Sequence, residues 1–151
     1  MGRRSGRDAK NSRHRVVIVP DSSAWIEHLR DTGSPTALTV RRLLEEKADI
    51  GVTEHVLMEL LAGAQSLQHL RQLRSELLGF QLLPLIGLDD YEDAAAIYRA
   101  CRLNGITLRN LSDCLVAVPV IREGAELLHN DSDFDAIAQH SALRIYPVGG
   151  G

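Results

Sequence analysis

The run Val16-Val17-Ile18-Val19 is aliphatic and β-branched, with no polar residue to break it. That pattern reads as a strand buried on both faces, the kind that stands in the middle of a parallel sheet. It stops at Pro20-Asp21, followed by Ser22 and Ser23, and an apolar-periodic segment (Ala24, Trp25, Leu29) begins at once. A carboxylate at the carboxyl end of a central strand, beside a helix start, is where open α/β sheets place their ligands. The same residues also suit a plain helix cap, with Asp21 or Ser22 accepting from the first turn. Both readings stand on this stretch alone.

The rest of the chain alternates strands with helices. Helices are expected over Ser23–Arg30 and from Ser34-Pro35 to about Lys47, with Pro35 at the first helical position. Asp49–Thr53 reads as a second buried strand, and Thr53 as the cap of a helix stopped at Gly63. Ser66–Leu78 carries Leu67, Leu70, Leu73, Leu77 and Leu78 at 3–4 spacing, a stripe that suits core or a partner seam. Phe80–Ile86 reads as a third strand, and Asp89-Asp90 as the start of a helix closed by Asn104-Gly105. Ser112-Asp113 opens another helix, which ends at Gly124. A fourth strand over Glu126–Asp131, a short helix from Asp133 and a last strand over Leu143–Val148 complete the chain. This order predicts an α/β three-layer sandwich, a central, mostly parallel sheet with helices on both faces.

At 151 residues the chain suits one domain with a real core. Six arginines and lysines against one aspartate give residues 1–15 a charge of +5, so with −3 in total the remainder carries −8. The expected division is therefore a basic, disordered tail over 1–15, a folded acidic body over 16–148 and a frayed end over 149–151. The tail is a solubilising arm or a phosphate-backbone contact. No apolar run is long enough to span a bilayer, and the start lacks a signal core, so the expected setting is cytoplasmic with no membrane partner. Cys101 and Cys114 are too few for a disulfide framework and are expected as free buried thiols.

Acids occur where such a sheet can gather them. Asp21 ends the first strand, Glu59 interrupts an apolar helix, Asp113 stands in the first turn of another, Asp131 ends the fourth strand and Asp133 follows. Each has a bland account. Glu59 suits a solvent edge, Asp113 a helix dipole, and Asp131 with Asp133 an Asx turn and a cap. Together, converging carboxylates repel unless a cation neutralises them. Oxygen donors without a Cys or His cluster suit magnesium or manganese, not zinc, and the six histidines are scattered. A carboxylate-held metal pair can activate water for in-line attack on phosphorus.

Four pieces, in order, carry a resemblance. They are Val19-Pro20-Asp21-Ser22-Ser23-Ala24-Trp25-Ile26, Met58-Glu59-Leu60-Leu61-Ala62-Gly63, Ser112-Asp113-Cys114-Leu115-Val116-Ala117, and the stretch from Leu127-Leu128-His129-Asn130-Asp131 to Asp133-Phe134-Asp135-Ala136-Ile137-Ala138. The chain resembles the PIN domain, and within it the VapC-like ribonuclease toxins of toxin–antitoxin pairs, over about residues 16–148. The resemblance implies an endoribonuclease selective for single strands, leaving a 5′-phosphate and a 3′-hydroxyl. It implies Asp21, Glu59, Asp113 and Asp131 as catalytic acids, with Asp133 beside them as ligands to Mg2+ or Mn2+. Between Asp131 and Asp133, Asp131 is favoured as the direct ligand because it ends the strand. Ser23 matches a hydroxyl position that supports the site. Arg109 matches a basic position that holds the scissile phosphate, pairs with a site acid, or is a surface loop arginine.

The same resemblance implies a homodimer and a cognate VapB-like antitoxin whose tail enters the acidic cleft, giving a heterotetramer or larger assembly. RNA meeting an acidic site also requires a basic rim, for which Arg41, Arg42, Arg71, Arg74 and Arg109 are candidates. Pro119 departs from the family pattern and is expected to kink the helix opened by Asp113, tilting Val120 to Glu123. The competing reading is a non-catalytic RNA- or protein-binding module on the same fold, which a missing acid would favour; none is missing. A phosphoacceptor receiver is set aside, because no acid stands beside Asp21 and no lysine follows Lys47.

Overall fold

Ile18, Val19 and Pro20 form β1 (Ile18–Pro20), and all three are buried. In the computed structural model, which describes residues 15–149, β1 is the hinge of the sheet. On one side it pairs in parallel with β4 (Glu126–Leu128), Val19 opposite Leu127 and Pro20 opposite Leu128. On the other it meets the strand β2 (Gly51–Thr53) through a parallel bridge from Ile18 to Ile50 and the Ile18 N–H on Asp49 O at 2.8 Å. β3 (Gln81–Leu83) pairs with β2, and β5 (Arg144–Ile145) pairs with β4. The order is β3-β2-β1-β4-β5, and every pairing is parallel.

Parallel neighbours need crossovers, and helices supply them. α1 (Ser22–Leu29) and α2 (Pro35–Glu45) link β1 to β2, and α3 (Glu54–Ala62) and α4 (Leu67–Leu77) link β2 to β3. α5 (Gly87–Leu103) and α6 (Ser112–Arg122) return the chain to β4, and α7 (Asp133–Gln139) leads to β5. α1 packs on α2 and α3, and α3 on α4; α5 packs on α6 and α7. Right-handed crossovers running outward in opposite directions from β1 set these two groups on opposite faces. The result is the expected three-layer sandwich. The strand order reverses between β1 and β4, and the carboxyl ends of strands at such a reversal are where open α/β sheets place their ligands.

Local chemistry explains the helix starts. The side chains of Asp21, Ser34, Thr53 and Ser66 accept from the N–H groups of Ala24, Ala37, Val56 and His69 at 3.0–3.3 Å. Gly51 is required by packing, since a Cβ there would lie 2.6 Å from Leu83 Cδ1 and 2.8 Å from Val17 Cγ1. The core is mainly aliphatic, with Val19, Val52, Val56, Leu83, Leu127, Leu128 and Ile137, and the aromatic Phe134, essentially excluded from water. Each such side chain contributes about 1.5–3 kcal/mol by burial.

Several expected boundaries are corrected. β3 covers only Gln81–Leu83, and β4 stops at Leu128, so Asp131 lies in the following loop and does not end the strand. α5 begins at Gly87, two residues before Asp89. Val16 is exposed and stands outside β1. The leucine stripe of α4 divides, with Leu73 and Leu77 in the core and Leu67 and Leu78 exposed. α6 runs on through Pro119 to Arg122, with Val118, Pro119 and Val120 all buried. Cys101 and Cys114 are free and buried, as expected. The basic tail falls outside the described residues except for Arg15, which stands 4.0 Å from Asp49. Gly149 donates its N–H to Thr39 Oγ1 at 3.1 Å. Among the described residues no helix is long and apolar enough to cross a membrane.

Candidate metal centre

Asp21 leaves β1 and caps α1, so the cap and the site readings are both satisfied by one side chain. Its Oδ1 accepts from the Ala24 N–H at 3.0 Å and from Ser23 Oγ at 2.7 Å. Ser22 is the first helical residue and not the cap. Ser23 Oγ in turn accepts the Asn130 N–H at 2.9 Å, tying the end of β1 to the loop after β4. Asn130 is held further by its side chain, which donates to Glu27 and accepts from Thr36 Oγ1. Burial raises the Asp21 pKa, against the opposing pull of the Ser23 and Ala24 bonds.

The β4–α7 loop is shaped by its own side chains. Asp131 donates its N–H to His129 Nδ1 at 3.1 Å, and its Oδ1 accepts the Asp133 N–H at 3.0 Å, an Asx turn. Asp133 is the first residue of α7, whose N-cap position, Ser132, makes no side-chain cap bond. Asp113 approaches this loop from the first turn of α6.

One oxygen each from Asp113, Asp131 and Asp133 lies within 4.8 Å of the others. Asp113 Oδ2 is buried and has no hydrogen-bond partner. Burial, and then repulsion from Asp131, Asp21, Glu59 and Asp133, push the Asp113 carboxyl up to about 7. Asp113, Asp131 and Asp133 form the close group, whereas Asp21 and Glu59 stand outside it and bear on it only through their charge on Asp113. Glu59 is the outermost, with its side chain 44% exposed and 3.5 Å from His55 one turn back on α3.

A cation already answers part of this charge. Arg109, in the loop before α6, places Nη2 2.6 Å from Asp131 Oδ1 and Nε 3.3 Å from Asp133 Oδ2. Its backbone N–H adds a third bond to Asp133 Oδ2 at 3.0 Å. The side chain is 68% exposed, so it can leave without disturbing the core. Of the other rim candidates, Arg41 and Arg42 pair with Glu45 and Glu46 on their own helix, and Arg42 also donates to Tyr146. Arg71 and Arg74 are exposed on α4.

The donor set fits a hard divalent ion. Clustered carboxylate oxygens, without a thiol or imidazole in the group, match the octahedral oxygen preference of magnesium and manganese. The orphaned Asp113 oxygen is the direct sign, because a buried acceptor without a partner is costly. Sequence reasoning passed over His129 and Asn130, whose polar side chains between a buried strand and two acids were the available signal.

The family model described as PIN domain matches residues 18–139. The chain is 43% identical over 129 residues to VapC ribonuclease Mb1587 of Mycobacterium bovis and to Ribonuclease VapC11 of Mycobacterium tuberculosis, covering 85% of this chain and 96% of each relative. Among solved structures, VapBC2 from Rickettsia felis bound to a promoter DNA fragment superimposes with a TM-score of 0.65 at 15% identity, over 86% of this chain and 97% of that one. VapC20 of Mycobacterium tuberculosis, described as a Sarcin-Ricin loop cleaving toxin, gives a TM-score of 0.60 at 22% identity, over 84% and 98%. A match from β1 through α7, together with relatives this similar over nearly their full length, makes this chain a member of the PIN-domain family, among the VapC ribonucleases.

Proposed function

We propose that the protein is a metal-dependent endoribonuclease, the toxin of a toxin–antitoxin pair, acting through a nuclease domain over residues 16–148. The observation that carries this reading is the buried, unpartnered Asp113 oxygen beside Asp131 and Asp133. Asp21, Glu59, Asp113 and Asp131 are the catalytic acids, and Asp133 joins them in holding Mg2+ or Mn2+. When bound, the ion supplies activation of water and steadies the leaving oxygen at phosphorus. The protein's share is to hold the acids: Ser23 fixes Asp21 against the β4 loop, and Arg109 offers a cation at the rim for phosphate. The relatives named as VapC ribonucleases support RNA as substrate, and the VapBC complexes support a VapB-like antitoxin as partner. A homodimer, and a heterotetramer or larger with antitoxin, complete the proposal.

The test is cleavage of RNA by purified protein with Mg2+ or Mn2+, then with chelator, beside Asp21→Asn. Asparagine keeps a capping oxygen for α1, so a loss of cleavage reports the charge and not an unravelled helix. Cleavage that needs the ion and is lost in the variant is expected. No cleavage of any RNA, with no heat of Mn2+ binding, supports the non-catalytic binding module instead.

Arg109→Gln separates two roles of one residue. Without its competing guanidinium, metal binding in the absence of RNA is expected to tighten roughly twofold to fivefold, the scale of an exposed ion pair. Cleavage is expected to weaken, chiefly through KM, because a phosphate contact is lost. Calorimetry with Mn2+ and steady-state kinetics read the two effects; weaker metal binding would assign Arg109 to holding the loop instead.

A further inference from the structure

The four-residue loop from His129 to Ser132 joins β4 to α7, and its geometry turns on one ring. The His129 side chain is 10% exposed. Its ring centroid lies 5.6 Å from that of Phe134, a core residue. Nδ1 receives the Asp131 N–H at 3.1 Å, and Nε2 lies 3.0 Å from Asp135 Oδ1. An amide N–H can only donate, so Nδ1 carries no hydrogen. Nε2 carries it and donates to the Asp135 carboxylate. Both ring nitrogens are committed, and Phe134 holds the ring's plane.

We propose that His129 is the positioning residue of the metal centre, setting the direction of Asp131 through its backbone and, through the Asx turn, that of Asp133. The chain of contacts is continuous: Nδ1 takes the Asp131 N–H, and Asp131 Oδ1 takes the Asp133 N–H. These two residues supply two of the three oxygens within 4.8 Å. Packing against Phe134 and the bond to Asp135 anchor the ring to α7, so the loop is referred to a rigid element. His129 is outside the group of three acids and acts through two of them. The role rests on the nuclease reading and goes beyond it by naming what aims the ligands.

Two variants test it. His129→Leu keeps apolar bulk against Phe134 and removes the acceptor. His129→Asn restores an acceptor for the N–H two residues on, as in an Asx turn. With the fold intact by circular dichroism, His129→Leu is expected to weaken Mn2+ binding about 10-fold to 100-fold, the scale of lost support behind metal ligands. Its kcat falls while KM for RNA holds, and His129→Asn recovers most of both. Amide exchange at Asp131 in metal-free protein reads the bond itself: protected in wild type and His129→Asn, fast in His129→Leu. Unchanged exchange in His129→Leu, or no recovery in His129→Asn, overturns the positioning role. A protected Asp131 amide in wild-type protein that binds no Mn2+ overturns the nuclease reading, and the role with it.

Discussion

Asp113→Asn is expected to remove RNA cleavage, roughly a hundredfold to a thousandfold or more, and to make the metal-free protein more stable at neutral and higher pH. The two effects have one origin. Burial and four neighbouring acids push the Asp113 carboxyl up to about 7, so ionising it costs the folded state more than the unfolded chain. A group with a raised folded pKa binds its proton more tightly in the native protein. Stability is therefore lost as pH rises from the ordinary carboxylate value to about 7. At pH 5, inside that window, only the early part of the loss has accrued, so the asparagine brings less than at higher pH. At pH 8 the variant gains roughly 1–2 kcal/mol after discounting for solvent around a partly buried group. That corresponds to about 3–6 °C in Tm. Magnesium reverses the order, because an ion bound only by native wild type stabilises it by mass action. Thermal scans in chelator at pH 5 and 8, repeated with Mg2+, check this; equal differences at both pH values would remove the convergence argument.

The second large effect concerns stability alone. Arg122, in the last turn of α6, sets Nη1 2.8 and 2.7 Å from the two oxygens of Asp90 on α5. Its Nη2 reaches the Pro84 carbonyl, and the Ile86 N–H also binds Asp90 Oδ2 at 2.6 Å. The Asp90 side chain is 7% exposed and that of Arg122 28%. Burial acts to raise the Asp90 pKa, but the Ile86 bond and Arg122 outweigh it and hold the carboxyl below its ordinary value. This contribution is present above the ordinary carboxylate pKa and is lost as pH falls through the lower folded value. Arg122→Ala strands a buried charge and is expected to cost about 3 kcal/mol, with a Tm lower by roughly 6–12 °C. Arg122→Met with Asp90→Leu, which removes both charges, is expected to recover most of the loss. Urea unfolding of the three proteins decides it; a loss below about 1 kcal/mol in Arg122→Ala would mean the pair is solvated.

Much of the fold was legible because its signals are local. Ser34, Thr53 and Ser66 cap the helices that their spacing announces, since a cap needs only a side chain and an N–H three residues on. The aliphatic run before Asp21 placed the central strand for a similar reason. Strand ends were not legible, because a partner decides them: β4 ends where its pairing with β1 ends, at Leu128 opposite Pro20. Asp131 was therefore assigned to a strand when it stands in a loop. The acids were readable one by one, but their distances were not. Asn130 meets Ser23 across 107 residues of sequence, and Arg109 meets Asp131 across 22. The leucines of α4 kept their period whether or not a neighbour covered them, so Leu67 could not be told from Leu73.

The reversal of strand order beside β1 also bears on how the protein is made. Asp21 and Glu59 come from the first half of the chain, whereas Asp113, Asp131 and Asp133 come from its last third. Asp131 and Asp133 come beside Asp21 when β4 docks against β1, under the Ser23 to Asn130 tie. A chain still growing on the ribosome can complete α1 through α4 and hold two of the five acids with nothing to gather the others. The proposed centre is complete only after Asp133 has been made and has emerged, so a chain truncated before β4 is expected to show no metal-dependent cleavage.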